Sequence, residues 1–443
     1  MTQIATAPTT ISTGPAPGTP AGAATGATTS AAERRATARR HFFTGTPGRM
    51  RILAVVASLA CLGFALSGFF ALRALDSSVN RAAANTEQVV RVQQIYADLL
   101  RADAATTNGF LQGGLEPVDL RSTYDSAMAR VSRNIAEAAN AQPADGEALS
   151  LLNERLGTYV TYVDQARTYN RQVLPVGAQY LTLASDQLRT DILPIVDNLR
   201  AANQDRAQTE LGAGKVAALA LGMGVLTLGL LGLIGWWLAQ KTHRILSLPL
   251  AAAFALVAGG VGLTLTMMAS TASTMSTVRD GDFSSAVNLA SARAAAYDAK
   301  SNEALTLVKR GSGAANQAAY EKALATALDA VDKAGFGPGK SPGLAARLGT
   351  YSTLHDAIRK ADDSGDWDKA VALATSTKSG SANAAFDEFD AGSEGKLKDK
   401  ASSAIAALDG LQRPLFPWLV GLAGILAALA AARSMTPRIE EYR

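Results

Sequence analysis

Four stretches of this chain are apolar without a break, and the segments between them place apolar residues at helical spacing on otherwise polar sequence. Ile52 to Leu72, Val216 to Ala239, Leu246 to Ala269 and Leu415 to Ala432 contain no Asp, Glu, Lys, Arg or His. About 20 apolar residues at 1.5 Å rise cross a hydrocarbon core about 30 Å thick. One charge at the centre of such a helix would cost about 2.5–3.5 kcal/mol. The four stretches therefore predict four transmembrane helices.

The polar segments predict helices as well. From Leu72 the apolar positions step by three and four through Leu75, Val79, Ala82, Val89, Tyr96, Leu100, Thr107 and Phe110. That stripe continues out of the first span, and Gly113, Gly114 and Pro117 end it. A second helix is expected over 118–141, closed by Pro143, and a third over 145–173, closed by Pro175 and Gly177. A fourth, kinked at Pro194, leads down to Gly214. Segment 270–414 repeats the plan. Its first helix stops at Gly311, its second runs over 316–333, its third over 343–361, and its fourth begins near Asp366 with a break at Ser379-Gly380. Four antiparallel helices with short turns predict an up-down bundle in each segment.

The repetition extends to residues. Arg155-Leu156-Gly157-Thr158-Tyr159 recurs as Arg347-Leu348-Gly349-Thr350-Tyr351, and Thr161, Asp164 and Arg167 recur as Thr353, Asp356 and Arg359. Tyr124 and Ala127 of the second helix correspond to Tyr320 and Ala323. Matching order and spacing indicate an internal duplication of a span–bundle–span unit, and so a pseudo-dimer in one chain.

Charge sets orientation. Arg34, Arg35, Arg39, Arg40, His41, Arg49 and Arg51 precede the first span; Lys241, His243 and Arg244 separate the second and third; Arg433 and Arg438 follow the fourth. The positive-inside rule makes all three segments cytoplasmic and both bundles extracytoplasmic. Trp236, Trp237 and Trp418 lie near span ends, as interfacial aromatics do. The expected organisation is a disordered basic cytoplasmic tail (1–48), spans at 52–72, 216–239, 246–269 and 415–432, bundles at 73–214 and 270–414, a loop at 240–245 and a tail at 433–443. The fold class is an all-α membrane protein. The sequence pI of about 9.1 reflects these topological charges, so no nucleic-acid partner is expected.

Candidate chemistry is sparse. One cysteine and three histidines, scattered, form no metal constellation and permit no disulfide within one chain. Leu59-Ala60-Cys61 resembles a lipoprotein cleavage site, but the apolar run continues to Leu72, too long for a cleaved signal core. Nucleotide-binding and hydrolase motifs are missing, so neither enzyme activity nor a cofactor is expected, and no catalytic or metal residue is assigned. The duplicated Arg-Leu-Gly-Thr-Tyr reads first as packing: Gly for close helix contact, Tyr for the core. Arg81, Arg91 and Arg101 read first as a solvated face near Glu87 and Asp98, and second as grips for a carboxylate ligand. Asp362, Asp363, Asp366 and Asp368 lack the ligand spacing of a calcium loop and suit a helix cap. Trp367 sits at the membrane-distal tip, as a staple on its own helix or as an anchor for a protein partner. The candidate partner-binding residues are Trp367, Asp366, Pro175, Gly113 and Gly114. Small residues at Gly214, Ala218 and Gly222, at Ala255 and Gly259, and at Gly424 and Ala428 suggest close contacts between spans.

Each half resembles the four-helix-bundle sensor of bacterial chemoreceptors and sensor kinases, though neither span two nor span four leads here into a HAMP linker or signalling domain. The whole layout is similar to the actinobacterial GlnX-type four-span family. That resemblance implies extracytoplasmic amino-acid sensing through a solute-binding lipoprotein. It also implies a cytoplasmic serine/threonine protein kinase, protein kinase G, as the partner that carries the output. A transporter or channel is the alternative, weakened by the lack of ionisable residues in the spans; a structural envelope protein is a third.

Overall fold

The computed structural model describes residues 45–211, 215–242, 247–341 and 343–434. Residues 1–44, Gly214, the loop residues 243–246 and the tail 435–443 lie outside them, and with them most of the basic clusters that set the expected topology. Every regular element among the described residues is helical. α1 (Gly45–Leu111) is a single helix of 67 residues that contains the whole first apolar run and the stripe beyond it. α2 (Val118–Ala141), α3 (Gly146–Arg171), α4 (Val176–Gln187) and α5 (Leu193–Leu211) complete the first bundle. α6 (Lys215–Thr242) and α7 (Leu248–Val278) carry the second and third runs. α8 (Ser284–Val308), α9 (Ala314–Lys333), α10 (Leu344–Asp363), α11 (Trp367–Thr375) and α12 (Ala382–Asp409) form the second bundle, and α13 (Phe416–Arg433) carries the fourth run.

The chain stops its helices with identifiable devices. Gly113 and Gly114 adopt φ of +62° and +68° after α1, a left-handed conformation that residues with a Cβ resist. Ser381 caps α12 by accepting from the Ala384 amide at 3.3 Å. The kink expected at Pro194 appears as a π turn over Leu188–Ile192 that joins α4 to α5. Proline has no N–H to give the preceding turn, and the wider turn just before it accommodates that loss. A second π turn, Arg279–Phe283, joins α7 to α8. It contains no proline, and Lys400 of α12 pins it by donating to Asp282 at 2.7 Å.

Four helices are long and apolar enough to cross a membrane, which makes this a multi-pass membrane protein. They form a square in which α1 and α7 each lie between α6 and α13. About a third or less of each apolar window is buried within the protein, leaving side chains such as Leu59, Leu66, Leu233 and Leu429 exposed for lipid. The tight points are glycines. A Cβ on Gly424 would lie 2.6 Å from the Ala65 Cβ, and one on Gly260 would lie 2.9 Å from the Phe64 ring. Gly222 and Gly259, expected at helix contacts, have nothing within 4 Å of such a Cβ. The contacts fall to Gly224 and Gly260 instead, shifted by one or two residues around the helix.

Above the spans the two bundles share one core. α1 and α8, the first helix of each bundle, lie along one another. Buried Val92, Ile95 and Leu99 of α1 join Leu289, Ala292 and Ala296 of α8 in a cluster that reaches into both bundles. The repeated tyrosines Tyr159 and Tyr351 are fully buried. Gly157 and Gly349 of the same motif face open space, so they are not close-contact glycines. Nearer the membrane, Val79, Ala82, Leu211, Met275, Val278 and Leu408 form a separate cluster where α1, α5, α7 and α12 converge.

Candidate functional site: a cleft between the bundles

The seam between α1 and α8 has two faces, and they differ. On one face the gap is filled. The π turn aims Arg189 of the first bundle across the seam. Its Nη1 donates to Asp103 Oδ2 at 3.0 Å, while Nε and Nη2 donate to Asp298 Oδ1 at 3.1 and 2.7 Å. Ser185 and Ser301 donate to Asp103 at 2.7 and 2.5 Å. Asp103 is only 1% exposed, yet it accepts from both bundles at once. Burial works against the charge on Arg189, but the two carboxylates outweigh it and hold the guanidinium firmly protonated. Leu181 and Leu305 pack with Phe110 and Val308 on the same side.

On the other face a cleft of about 360 Å³ stays open. The first bundle lines it with Arg101 and Asn108 of α1, with Gln112 just past its end, and with Asp119 and Thr123 of α2. The second supplies Tyr297 and Lys300 of α8, Thr375 and Thr377 around the end of α11, and Asn383, Phe386, Asp387 and Asp390 of α12. Asp390 is already engaged, because Arg293 donates to it at 3.0 and 2.7 Å and reaches Glu394 at 2.8 Å. Arg101 is held more loosely, in ion pairs with Asp390 at 3.8 Å and Glu394 at 3.9 Å that lie beyond hydrogen-bond distance. Asp119 and Asp387 have no cation within salt-bridge distance among the described residues. Desolvation pushes the Asp387 carboxyl above its ordinary range, with Lys300 and Arg101 pulling the other way. Burial likewise raises the Tyr297 hydroxyl well above its usual value. The edge-on contact of Tyr297 with Phe386, 5.1 Å between ring centres, gives the cleft an apolar wall.

Behind the cleft lies a buried ionic cluster. Lys300 donates to Glu303 Oε1 at 2.6 Å, and His355 Nδ1 donates to Glu303 Oε2 at 2.7 Å. The second ring nitrogen of His355 faces Gln317 at 3.1 Å, and Tyr320 stacks on the ring at 3.5 Å. Burial alone would raise the Glu303 carboxyl, but Lys300 and His355 overcome it and hold it down at about 2. In the aligned repeat Val163 stands where the second bundle has His355, so this cluster has no counterpart at that position of the first bundle.

The cleft therefore combines a partly buried, loosely ion-paired Arg101 with two exposed carboxylates, Asp119 and Asp387, that have no cationic partner among the described residues. Residues 78–212 match the actinobacterial sensor domain. The sensor domain thus coincides with the first bundle, from the lower part of α1 to the end of α5, and supports a sensing and signalling role for the protein. No curated protein matches the chain. Among the described residues no group of three His, Cys, Asp or Glu is placed to hold a metal ion.

The residues singled out in the sequence fall in three places. Gly113, Gly114 and Pro175 form the turns at the membrane-distal end of the first bundle, amid exposed Leu115, Val118, Val173 and Leu174. Asp366 caps α11, accepting from the Lys369 amide at 3.2 Å. Trp367 donates Nε1–H to the Leu307 carbonyl at 2.9 Å, and Arg310 lies 3.8 Å over its ring. The tryptophan thus ties α11 to the end of α8. Of the three arginines on α1, Arg81 pairs with Glu210 and Arg91 with Glu87 and Glu137. Arg101 instead reaches the cleft, and its supposed neighbour Asp98 pairs with Arg130 at 2.6 Å. Sequence reasoning missed Asp103, Arg189, Lys300, Glu303 and His355. One signal was present: Asp103 continues the core stripe between Leu100 and Thr107, a charge at a position that should be apolar.

Proposed function

We propose that this protein is a transmembrane sensor whose bundles lie outside the cell membrane and whose termini lie in the cytoplasm. It detects an extracytoplasmic nutrient, an amino acid in this reading, and relays occupancy to a cytoplasmic serine/threonine kinase. A solute-binding lipoprotein docks on the tips formed by Gly113, Gly114 and Pro175 and by Asp366 and Trp367. The protein has no catalytic role of its own.

The observation that carries this reading is the continuity of α1. One helix runs from the first span to Arg101 and Asn108 in the cleft. The wall of the cleft and the wall of the span square are therefore the same rigid element, and α8 joins α7 through a single π turn. A shift of 1–2 Å between packed helices is the ordinary scale of such signals. Within the membrane α1 leans on α13, where Ser58 Oγ donates to the Ala428 carbonyl at 3.1 Å.

The test is a disulfide between Ser58→Cys and Ala428→Cys in a Cys61→Ala background, with phosphorylation of a kinase substrate read after amino-acid addition. Locking α1 to α13 should abolish the response, and reductant should restore it. A response that survives the lock contradicts the relay.

A further inference from the structure

We propose that the bundle-side end of the span square holds an anionic phospholipid, whose headgroup phosphate pairs with Arg413 and Arg73 at the entry to α13. The inference concerns the membrane and stands whatever the bundles sense.

The apolar runs fix where a bilayer surface must cut the chain. On the bundle side it passes close to Leu72 of α1, Ala269 of α7 and Leu415 before α13. α1 and α13 pack closely up to that level. A Cβ on Gly68 would lie 2.7 Å from Val420 Cγ1, and Phe69 meets Trp418 edge-on with 4.9 Å between ring centres. Just above, the Arg413 amide donates to Asp76 Oδ1 at 3.3 Å. Arg73 follows Phe69 by four residues and precedes Asp76 by three, so it shares their helix face at the entry to α13. It is exposed.

The side chain of Arg413 turns back towards the bilayer. Its Nη1 lies 3.9 Å from Met267 Sδ, and its guanidinium lies 5.6 Å from the centre of the Phe416 ring. Met267 belongs to the third apolar run and packs against the core of the spans. A guanidinium that needed only water would extend away from the hydrocarbon. This one has a thioether, a weak acceptor, and an aromatic ring in place of a counter-ion. Among the described residues no carboxylate lies within salt-bridge distance of Arg413 or Arg73. The acids nearest in sequence stand farther from the spans and have donors of their own: Asp76 the Arg413 amide, and Asp409 the Gln412 side chain at 3.0 Å. Arg279, beyond the third run, is by contrast paired with Asp280 at 2.8 Å.

The depth and the charge choose the ligand. A phospholipid phosphate lies at the level of the span ends, carries the missing negative charge, and accepts the paired N–H groups of a guanidinium. Below it Phe70, Leu415, Trp418 and Leu419 are exposed and offer a wall to acyl chains. A zwitterionic headgroup would bring a cation against the two arginines, so the lipid is anionic. In the orientation proposed above, these arginines stand on the side where the positive-inside rule disfavours them, so they are not topological signals.

The experiment uses the full chain with Trp236, Trp237 and Trp367 replaced by Phe, which leaves Trp418 as the reporter. Its fluorescence is measured in mixed phosphatidylglycerol–phosphatidylcholine vesicles in which one lipid or the other carries brominated, quenching acyl chains. Brominated phosphatidylglycerol should quench as though enriched about fivefold or more beside Trp418, the factor that corresponds to about 1 kcal/mol per basic residue at a membrane surface. Arg413→Gln and Arg73→Gln should each reduce the preference and together abolish it, with helix content by circular dichroism unchanged. Arg279→Gln, whose charge is already paired, should leave it intact. Four results would overturn the proposal: equal quenching by the two lipids, a preference that survives in the double variant, a preference lost in Arg279→Gln, which would mean diffuse surface charge, or a preference removed by excess inorganic phosphate, which would mean a site for free anions.

Discussion

Replacing Arg189 with Met should loosen the seam between the bundles by about 3 kcal/mol. The change deletes the hydrogen bonds to Asp103 and to Asp298. Asp298, about a third exposed, regains water. Asp103, at 1%, cannot, and is left as a buried carboxylate served by two serine hydroxyls. Breaking a buried ion pair by removing one partner typically costs about 3–5 kcal/mol. The low end applies here, because Arg189 is itself 23% exposed and the serines remain. Native-state hydrogen exchange of the α4 and α8 amides beside Asp103 is the assay. At about 1.4 kcal/mol per decade, 3 kcal/mol corresponds to exchange faster by about 150-fold. Lys333→Ala is the control. Its pair with Asp329 is exposed on both sides, and such pairs contribute about 0.3–0.5 kcal/mol. The double variant Asp103→Asn/Arg189→Met removes the stranded charge and should recover most of the loss. Exchange within threefold of the parent in Arg189→Met, or a double variant as damaged as the single, would refute the reasoning.

Acid should weaken the second bundle in a defined window. Glu303 is held at about 2 against an ordinary 4.5, so its contribution is complete above about 4.5 and is lost as pH falls towards 2; that is about 3 kcal/mol at most, and acid melting of Glu303→Gln should lack this segment. Gly424→Val should destabilise the span square by about 1–3 kcal/mol through overpacking against Ala65, while Gly222→Ala, with open space around it, should be neutral in the same detergent-denaturation assay. Trp367→Phe should lower thermal stability by about 1 kcal/mol through loss of the hydrogen bond to Leu307; unchanged stability together with loss of a captured partner would favour the anchor role instead.

Much of the fold was legible because its signals are local. Uninterrupted apolar runs, the glycine pair after Leu111, and helical stripes are each decided within a few residues. The π turn over Leu188–Ile192 was legible only as a kink, since Pro194 announces a disturbance without its form. The turn over Arg279–Phe283 has no such marker, and its anchor, Lys400, is more than a hundred residues away. The site was harder still. Arg101 looks like a solvated residue until α8 and α12 are brought against it, and Asp103 acquires meaning only when Arg189 and Ser301 arrive from other helices. Spacing along one helix identifies which face is buried, but not which charges on distant helices will meet there. The same limit explains the span glycines: a small-residue pattern marks a helix that can pack closely, and the neighbouring helices decide which glycine is used.

The account depends most on where the bundles lie. Single cysteines placed by Ser122→Cys in the first bundle and Ser379→Cys in the second, in a Cys61→Ala background, can be challenged in intact cells with a membrane-impermeant maleimide. Both should react without permeabilisation, whereas His243→Cys in the loop between α6 and α7 should react only after it. Protection of either bundle cysteine in intact cells, with labelling on permeabilisation, would place the cleft in the cytoplasm and contradict the account.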